Sequence, residues 1–345
     1  MATATLVIAA NAPDVDVLSS FRGEYYALAF RRGITHGLPA AAVLPFLVAG
    51  SVLAWDRWMR RRRRPGAEAA VPGAVLLLSF LGVISHPALD SLNIYGTRWG
   101  RPFWDAWSYG DTLFILDPWL WLVLGSSVFL ARAGSRWLWA ALAAATTALM
   151  VLGPVPRLAS AVWVAGVLLA GFLRWSGRPG PGAPCERAAR VGVGLTVAYI
   201  ALMGAASVVG GHRVMAEAEA AGLEPSEAMY APAAANPFLA EVEVVTPTGY
   251  VPGEYRWLRS PSVILRPADV VPFLRVPDDV DPDTAASVLA AARAAPDVRN
   301  YLVWSRYPYA KLARDGSAWL VRWSDARYDD REGAGGLGGV TVGIP

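Results

Sequence analysis

The sequence predicts a mainly α-helical, polytopic membrane protein: a bundle of about six transmembrane helices followed by a small C-terminal α+β domain outside the cytoplasm. Three observations predict it. The 345 residues are 54% hydrophobic and only 17% charged, with a mean hydropathy of +0.35, whereas soluble domains of ordinary composition carry more charge. Six apolar segments, roughly 38–55, 71–89, 112–131, 136–153, 158–174 and 190–210, reach or approach the roughly 20 residues that span a hydrocarbon core. Beyond about residue 212 the long apolar runs give way to short stretches that alternate apolar and polar residues.

The elements follow in order. The first dozen residues are apolar, but they lack a basic flank and run directly into "NAPDVD", which argues against a cleaved signal peptide. "DRWMRRRRRPG", Asp56 to Gly66, separates the first two apolar segments, "ARAGSR", Ala131 to Arg136, the third and fourth, and "RWSGRPGPGAPCERAAR", Arg174 to Arg190, the last two. By the positive-inside rule all three loops are cytoplasmic. Residues 31–37, the loop from Asp90 to Asp111 and everything after His212 then face outward, giving a membrane domain over 1–211 and an extracytoplasmic α+β domain over 212–345. In that second part "EVEVVTPTGYV", "EYRWLRSPSVILRP" and "YLVWSRYPYAKLARDGSAWLVRWSDARY" read as strands, Asp315-Gly316 as a hairpin turn, and 283–295 as one short helix with Asp283 near its cap. The terminal "EGAGGLGGVTVGIP" reads as a flexible tail.

Composition also excludes classes of function. Nearly all the basic residues are arginine, Lys311 being the one lysine, and the net charge is only +3. The arginines cluster beside apolar runs, where they set topology, so no nucleic-acid partner is expected. The single cysteine, Cys185, excludes an intramolecular disulfide and a cysteine-based zinc site.

Three short motifs carry the chemistry. "APDVD" holds Asp14 and Asp16, two apart, a spacing that points both carboxylates the same way only in extended chain or a tight turn. "RRGITHG" places His36 just ahead of an apolar segment, with Gly33 permitting a close turn. "HPALD" sets His86 and Asp90 at i and i+4, on one helix face, where they could bind one ion together; Pro87 leaves the local geometry open. Each has a plainer reading: a solvated Pro-Asp turn, a hydrogen-bonded histidine beside Thr35, a kink. Ionisable groups at membrane depth cost about 2.5–3.5 kcal/mol, however, and something should offset that cost for His86 and Asp90. Asp117, in "FILDPWLW", meets the same argument or marks a helix start, and His212 lies at an interface where histidine is ordinary. All three motifs can reach one non-cytoplasmic surface.

In this order, and followed by "PFWDAWSYGDTLFILDPWLW", the motifs resemble the membrane-bound, metal-dependent hydrolase family, YdjM-like proteins also described as LexA-binding, inner-membrane-associated hydrolases. The resemblance covers roughly residues 5–125 and is distantly similar to zinc-dependent phospholipase C and P1-type nuclease. It implies metal ligands at Asp14, Asp16, His36, His86 and Asp90, with Asp117 at a further acidic position. Two departures stand out. Members usually carry a "TH" segment upstream of PDxD, which is absent ahead of Asp14 here, and many have a histidine before the Arg-Gly of the second motif, where this chain has Arg31 and Arg32.

The implied activity is hydrolysis of a phosphoester or related ester at the outer face of the cytoplasmic membrane. A divalent ion, with zinc leading and manganese or magnesium as alternatives, would acidify a bound water and polarise the substrate. Asp14 or Asp16 would accept the proton and Arg32 would pair with phosphate. Bilayer lipid is the expected surrounding, with a lipid or envelope-derived ester as substrate. The alternative is a non-enzymatic membrane scaffold or binding protein with a structural His/Asp metal site. A transporter would show paired broken helices or an inverted repeat, and neither is evident.

Overall fold

The computed structural model describes residues 1–131, 136–153, 155–176, 183–331 and 336–345. Parts of the Ala131–Arg136 loop, the Arg174–Arg190 loop and the glycine-rich stretch before the C terminus lie outside the described residues. Helices dominate, and they divide the chain, together with the strands, into two compact units. One comprises Met1–Tyr109, Val245–Val251 and Pro267–Pro345; the other comprises Gly110–Val244 and Pro252–Arg266.

The first unit opens with α1 (Ala2–Asn11), a 3₁₀ segment over Pro13–Arg22, α2 (Glu24–Phe30) and a 3₁₀ turn over Ile34–His36. α3 (Leu38–Trp55) then starts with Pro39 in its first turn, where a missing N–H costs nothing. It continues through a π-helical turn, Asp56–Arg60, into the short α4 (Arg61–Arg63). α5 (Pro72–Asp90) also begins on proline and runs unbroken through Pro87 to its end. α1, α3 and α5 pack around Ala9, Val48, Ala49, Val52, Val75 and Val83. Gly82 sets the closeness of α1: a Cβ there would lie 2.6 Å from the Ala9 methyl and 2.9 Å from the Ala10 nitrogen. Asp56, buried at the far end, knits the arginine loop by pairing with Arg60 and accepting from the Ala70 amide at 3.0 Å.

The C-terminal part of this unit is a four-stranded sheet in the order β6-β7-β8-β9 (Leu274–Arg275, Pro308–Asp315, Ala318–Asp325, Val340–Ile344) with α10 (Pro282–Ala294) and α11 (Pro296–Trp304). β7 and β8 form the expected hairpin, in register from Pro308↔Asp325 to Asp315↔Ala318, with Gly316 at φ 61 in its turn. The cap of α10 is Asp281, which accepts from the amides of Asp283 and Thr284; Pro282 takes the first helical position and moves the start ahead of the sequence reading. The stretch from Tyr301 to Trp304, read as strand, closes α11 instead. Val298, Tyr301 and Trp304 are buried at a three-residue spacing that fits a helix face. This core also takes in Leu28, Tyr25, Tyr95 and Trp107, so the sheet module packs directly on the N-terminal motifs.

In the second unit are α6 (Pro118–Ala131), α7 (Arg136–Leu152), α8 (Arg157–Ser176) and α9 (Ala183–Ala220), with strands β1 (Glu227–Ala233), β2 (Asn236–Thr246), β3 (Gly249–Arg256) and β4 (Val263–Leu265) in the sheet order β1-β2-β3-β4. β5 (Val271–Pro272) pairs with β3 at Gly249 and Tyr250, in the part of that hairpin that belongs to the first unit. Among the described residues four helical stretches are long and apolar enough to cross a membrane: Leu38–Arg63, Pro72–Asp90, Arg157–Ser176 and Glu186–Ala220. The other two expected spans form helices of 14 and 17 residues. Residues 112–117 stay outside α6 because Asp117 accepts from the Trp119 and Leu120 amides at 2.9 and 3.2 Å and so starts the helix there.

Candidate metal centre

Backbone geometry brings the three motifs together at one end of the α3–α5 pair. α3 leaves from the RRGITHG turn toward the arginine loop, and α5 returns from that loop to His86 and Asp90. PDVD is neither extended nor a tight turn. It lies in the 3₁₀ segment Pro13–Arg22, where residues two apart differ by about 240° around the axis. Asp14 and Asp16 therefore approach His36 from different sides.

Four ligand atoms converge. His36 Nε2 lies 3.4 Å from Asp90 Oδ2 and 3.9 Å from Asp14 Oδ1, while His86 Nε2 lies 3.5 Å from Asp90 Oδ2 and 3.6 Å from Asp14 Oδ1. The ligand atoms of Asp14, His36 and His86 all fall within 4.8 Å of one another. A tetrahedral ion bound at about 2.0–2.1 Å holds its ligands about 3.3 Å apart, so the cluster is within a few tenths of an ångström of that spacing on its closest edges. Both Nε2 atoms are buried and have no hydrogen-bond partner among the described residues. Buried polar atoms are ordinarily paired, and two imidazole nitrogens sharing an unpaired direction fit a cation between them.

The opposite nitrogens fix the ring orientation. His86 Nδ1 donates to the Ala10 carbonyl at 2.6 Å; a carbonyl only accepts, so the proton sits on Nδ1 and the Nε2 lone pair faces the cluster when the ring is neutral. The close approach of α1 at Gly82 supplies that carbonyl. His36 Nδ1 faces Asp16 Oδ2 at 3.3 Å and the Thr35 hydroxyl at 3.0 Å. Asp16 also accepts from the Arg32 amide at 2.9 Å and the Thr35 hydroxyl at 3.0 Å. This is the carboxylate–histidine pairing that orients metal-binding imidazoles. Burial pushes the Asp16 pKa up, but the His36 hydrogen bond and charge, with the Arg32 amide and Thr35, outweigh it and hold the carboxyl below its usual range. For His36 burial acts to lower the pKa, and bonding to Asp16 with the charges of Asp16 and Asp90 raises it on balance.

The two arginines differ. Arg32, in the left-handed region at φ 51, grips both oxygens of Asp90 at 2.9 Å, donates to Asn93 Oδ1 at 3.1 Å and lies over the Tyr95 ring. Its guanidinium is committed to positioning Asp90. Arg31 has no such clamp: its Nη2 and Nε stand 3.6 Å from Asp14 and Asp16, and its side chain is 37% exposed beside an Asp14 that is 42% exposed. Arg98, 1% exposed, supports the turn by donating to the carbonyls of Ala29 and Arg31 and to Asp105. Gly33 makes room for it, since a Cβ there would sit 3.0 Å from the Arg98 guanidinium.

Of the residues singled out from sequence, Asp14, Asp16, His36, His86, Asp90 and Arg32 meet here. Asp117 belongs to the second unit, where it caps α6 and accepts from the Tyr199 hydroxyl at 2.9 Å, and His212 is exposed on α9. Sequence reasoning missed Arg31 as a facing group, the Ala10 carbonyl, Asn93, Tyr95 and Arg98. Only the "RRG" doublet offered a signal, and it does not say which arginine turns inward.

Helices of membrane-spanning length among the described residues, with a His/Asp cluster at the end of one helix pair, make this a membrane-associated class of protein. Residues 1–159, which contain the whole cluster, match the family described as YdjM inner membrane protein. No curated protein and no solved structure matches the chain.

Proposed function

We propose that the chain is a membrane-bound, metal-dependent hydrolase of a phosphoester or related ester, working at the outer face of the cytoplasmic membrane. The observation that carries this reading is the pair of buried Nε2 atoms, without hydrogen-bond partners among the described residues, converging with Asp14 and Asp90. Two imidazoles with two carboxylates favour zinc, with manganese or magnesium as alternatives. Bound there, the ion would supply Lewis acidity and a water whose pKa falls toward neutrality.

The chain's own residues do the rest. Asp90, locked by Arg32, and the two oriented imidazoles hold a fixed donor set, while half-exposed Asp14 keeps one side open to solvent and can take up a proton on its second oxygen. Arg31 is the guanidinium free to turn from the carboxylates to a phosphoryl oxygen, so the anion-binding role falls to it rather than to Arg32. The arginine run Arg60–Arg64 stands at the other end of the α3–α5 helix pair, about 27 Å away for an 18-residue helix. With that run cytoplasmic, the cluster and the sheet module packed on it face outward.

One observation favours a second reading, a scaffold with a structural network: both oxygens of Asp90 are already held by Arg32. Elemental analysis of the purified protein against His86→Ala separates the possibilities at the first step, since equal metal content removes the metal centre. A panel of phosphodiesters and phospholipids with Zn²⁺, Mn²⁺ or Mg²⁺ addresses the second. Turnover abolished by Asp90→Asn and by Arg31→Met supports the hydrolase; a metal-loaded protein that turns over nothing supports the scaffold.

A further inference from the structure

The second unit contains a cavity of about 740 Å³, within the roughly 300–1,000 Å³ of small-molecule sites. Trp119 of α6, Leu158 and Val162 of α8 and Tyr199 of α9 line it. Phe238 of β2 and Leu258 in the turn after β3 add to the apolar lining. Part of this apolar lining is exposed, on and beside a helix long and apolar enough to span a membrane: Leu158, Phe238 and Leu258 are 77%, 53% and 73% exposed.

The polar groups of this cavity are unequally used. Tyr199 is satisfied by Asp117, and Glu254 takes Arg256 through two bonds at 2.7 and 2.9 Å, with Arg266 at 3.5 Å. That leaves the Arg259 guanidinium, in the lining of the same cavity, with no anionic partner among the described residues. The Trp119 indole N–H is likewise buried and without a partner among them. A partly exposed apolar cleft beside a helix of membrane-spanning length, with one uncompensated cation in its lining, complements an amphiphile that has apolar tails and a negative head.

We propose that this cavity binds one anionic phospholipid, its headgroup phosphate on Arg259 and its acyl chains along Trp119, Val162 and Tyr199. The site is independent of the metal centre and of any hydrolysis there.

The test uses the full chain, purified in mild detergent and supplied with phosphatidylglycerol or phosphatidylcholine of matched acyl chains, with retained lipid read by native mass spectrometry. One phosphatidylglycerol per chain is expected, favoured about fivefold over phosphatidylcholine, the contribution of one arginine near a membrane surface. Arg259→Gln should erase the headgroup preference, Val162→Trp should expel both lipids, and Arg62→Gln, in the arginine run of the first unit, should change neither. A photo-crosslinking residue at exposed Leu258 should capture the lipid even if Val162→Trp does not fold. Equal retention of the two lipids, an unaltered preference in Arg259→Gln, an equal loss in Arg62→Gln, or no crosslink at position 258 would each overturn the proposal. So would stoichiometric binding of soluble glycerophosphate in place of the lipid.

Discussion

In the proposed metal centre, Asp16→Asn isolates a group that would orient a ligand without being one. The carboxylate is 3% exposed, and its Oδ2 takes the Arg32 amide at 2.9 Å, the Thr35 hydroxyl at 3.0 Å and His36 Nδ1 at 3.3 Å. Asparagine is nearly isosteric, so its carbonyl can keep the backbone and hydroxyl bonds. It brings an NH₂ group where Oδ1 faced Arg31 Nε, and it gives up the charge that stabilises a polarised His36. One charge-assisted hydrogen bond is worth about 1.5–3 kcal/mol, or roughly 10- to 100-fold in an equilibrium constant. Lost supporting carboxylates at metal-binding histidines fall in the same range. Zn²⁺ affinity, measured by competition with a chromophoric chelator in detergent, should therefore weaken roughly 10- to 100-fold in Asp16→Asn, while His36→Ala loses the site. Wild-type affinity in Asp16→Asn would refute the orienting role. A loss as complete as that of His36→Ala, in a variant that melts normally without metal, would make Asp16 a ligand instead.

Gly82→Ala should push α1 off α5, costing about 1–3 kcal/mol as overpacking and weakening metal affinity by separating His86 from the Ala10 carbonyl; a melting temperature and affinity both unchanged would show that α1 is not set by this contact. Arg31→Met should spare metal content and lower turnover of a phosphoester, whereas Arg32→Met should lower metal content by freeing Asp90, and the reverse pattern would exchange their roles. In the sheet module, Asp325 is fully buried and accepts from Ser305, Arg306, Tyr307 and Arg327. Burial pushes its pKa up, but the Arg327 charge and these bonds outweigh it and hold it below the carboxylate range. Its stabilisation is thus complete above the unfolded carboxyl value of about 3.9 and is lost as pH falls through the lower folded value. Asp325→Asn should cost about 3–5 kcal/mol at neutral pH by stranding buried Arg327 and flatten the acid limb of thermal stability, unless neutral-pH melting proves equal to wild type. Reporter fusions after residues 64 and 345 should be active on opposite sides of the membrane if the arginine run is cytoplasmic and the sheet module is not; activity on one side would overturn the topology.

Much of this protein was determined locally. Apolar length made Leu38–Arg63, Pro72–Asp90, Arg157–Ser176 and Glu186–Ala220 helices, because a chain without water must satisfy its backbone within each segment. Alternation and Asp315-Gly316 specified the β7–β8 hairpin, and the i, i+4 spacing placed His86 and Asp90 on one face even across Pro87. Short-range competition decided what the sequence reading got differently: Asp117 starts α6 late, Asp281-Pro282 starts α10 early, and Tyr301–Trp304 ends a helix. Tertiary structure alone decided how the centre is assembled. A 3₁₀ segment turns Asp14 and Asp16 to opposite nitrogens of His36, Gly82 lets the Ala10 carbonyl reach His86, and positive φ at Arg32 sends one arginine to Asp90 while its neighbour stays at the open side. The sheet module, more than 150 residues along the chain by the count from Tyr109 to Pro267, closes over the same motifs: Arg327 donates to the Ile94 carbonyl at 2.7 Å and the Trp107 indole to the Val303 carbonyl at 2.7 Å. Such contacts join residues with no shared local pattern, and they depend on side-chain packing that no periodicity in the sequence encodes.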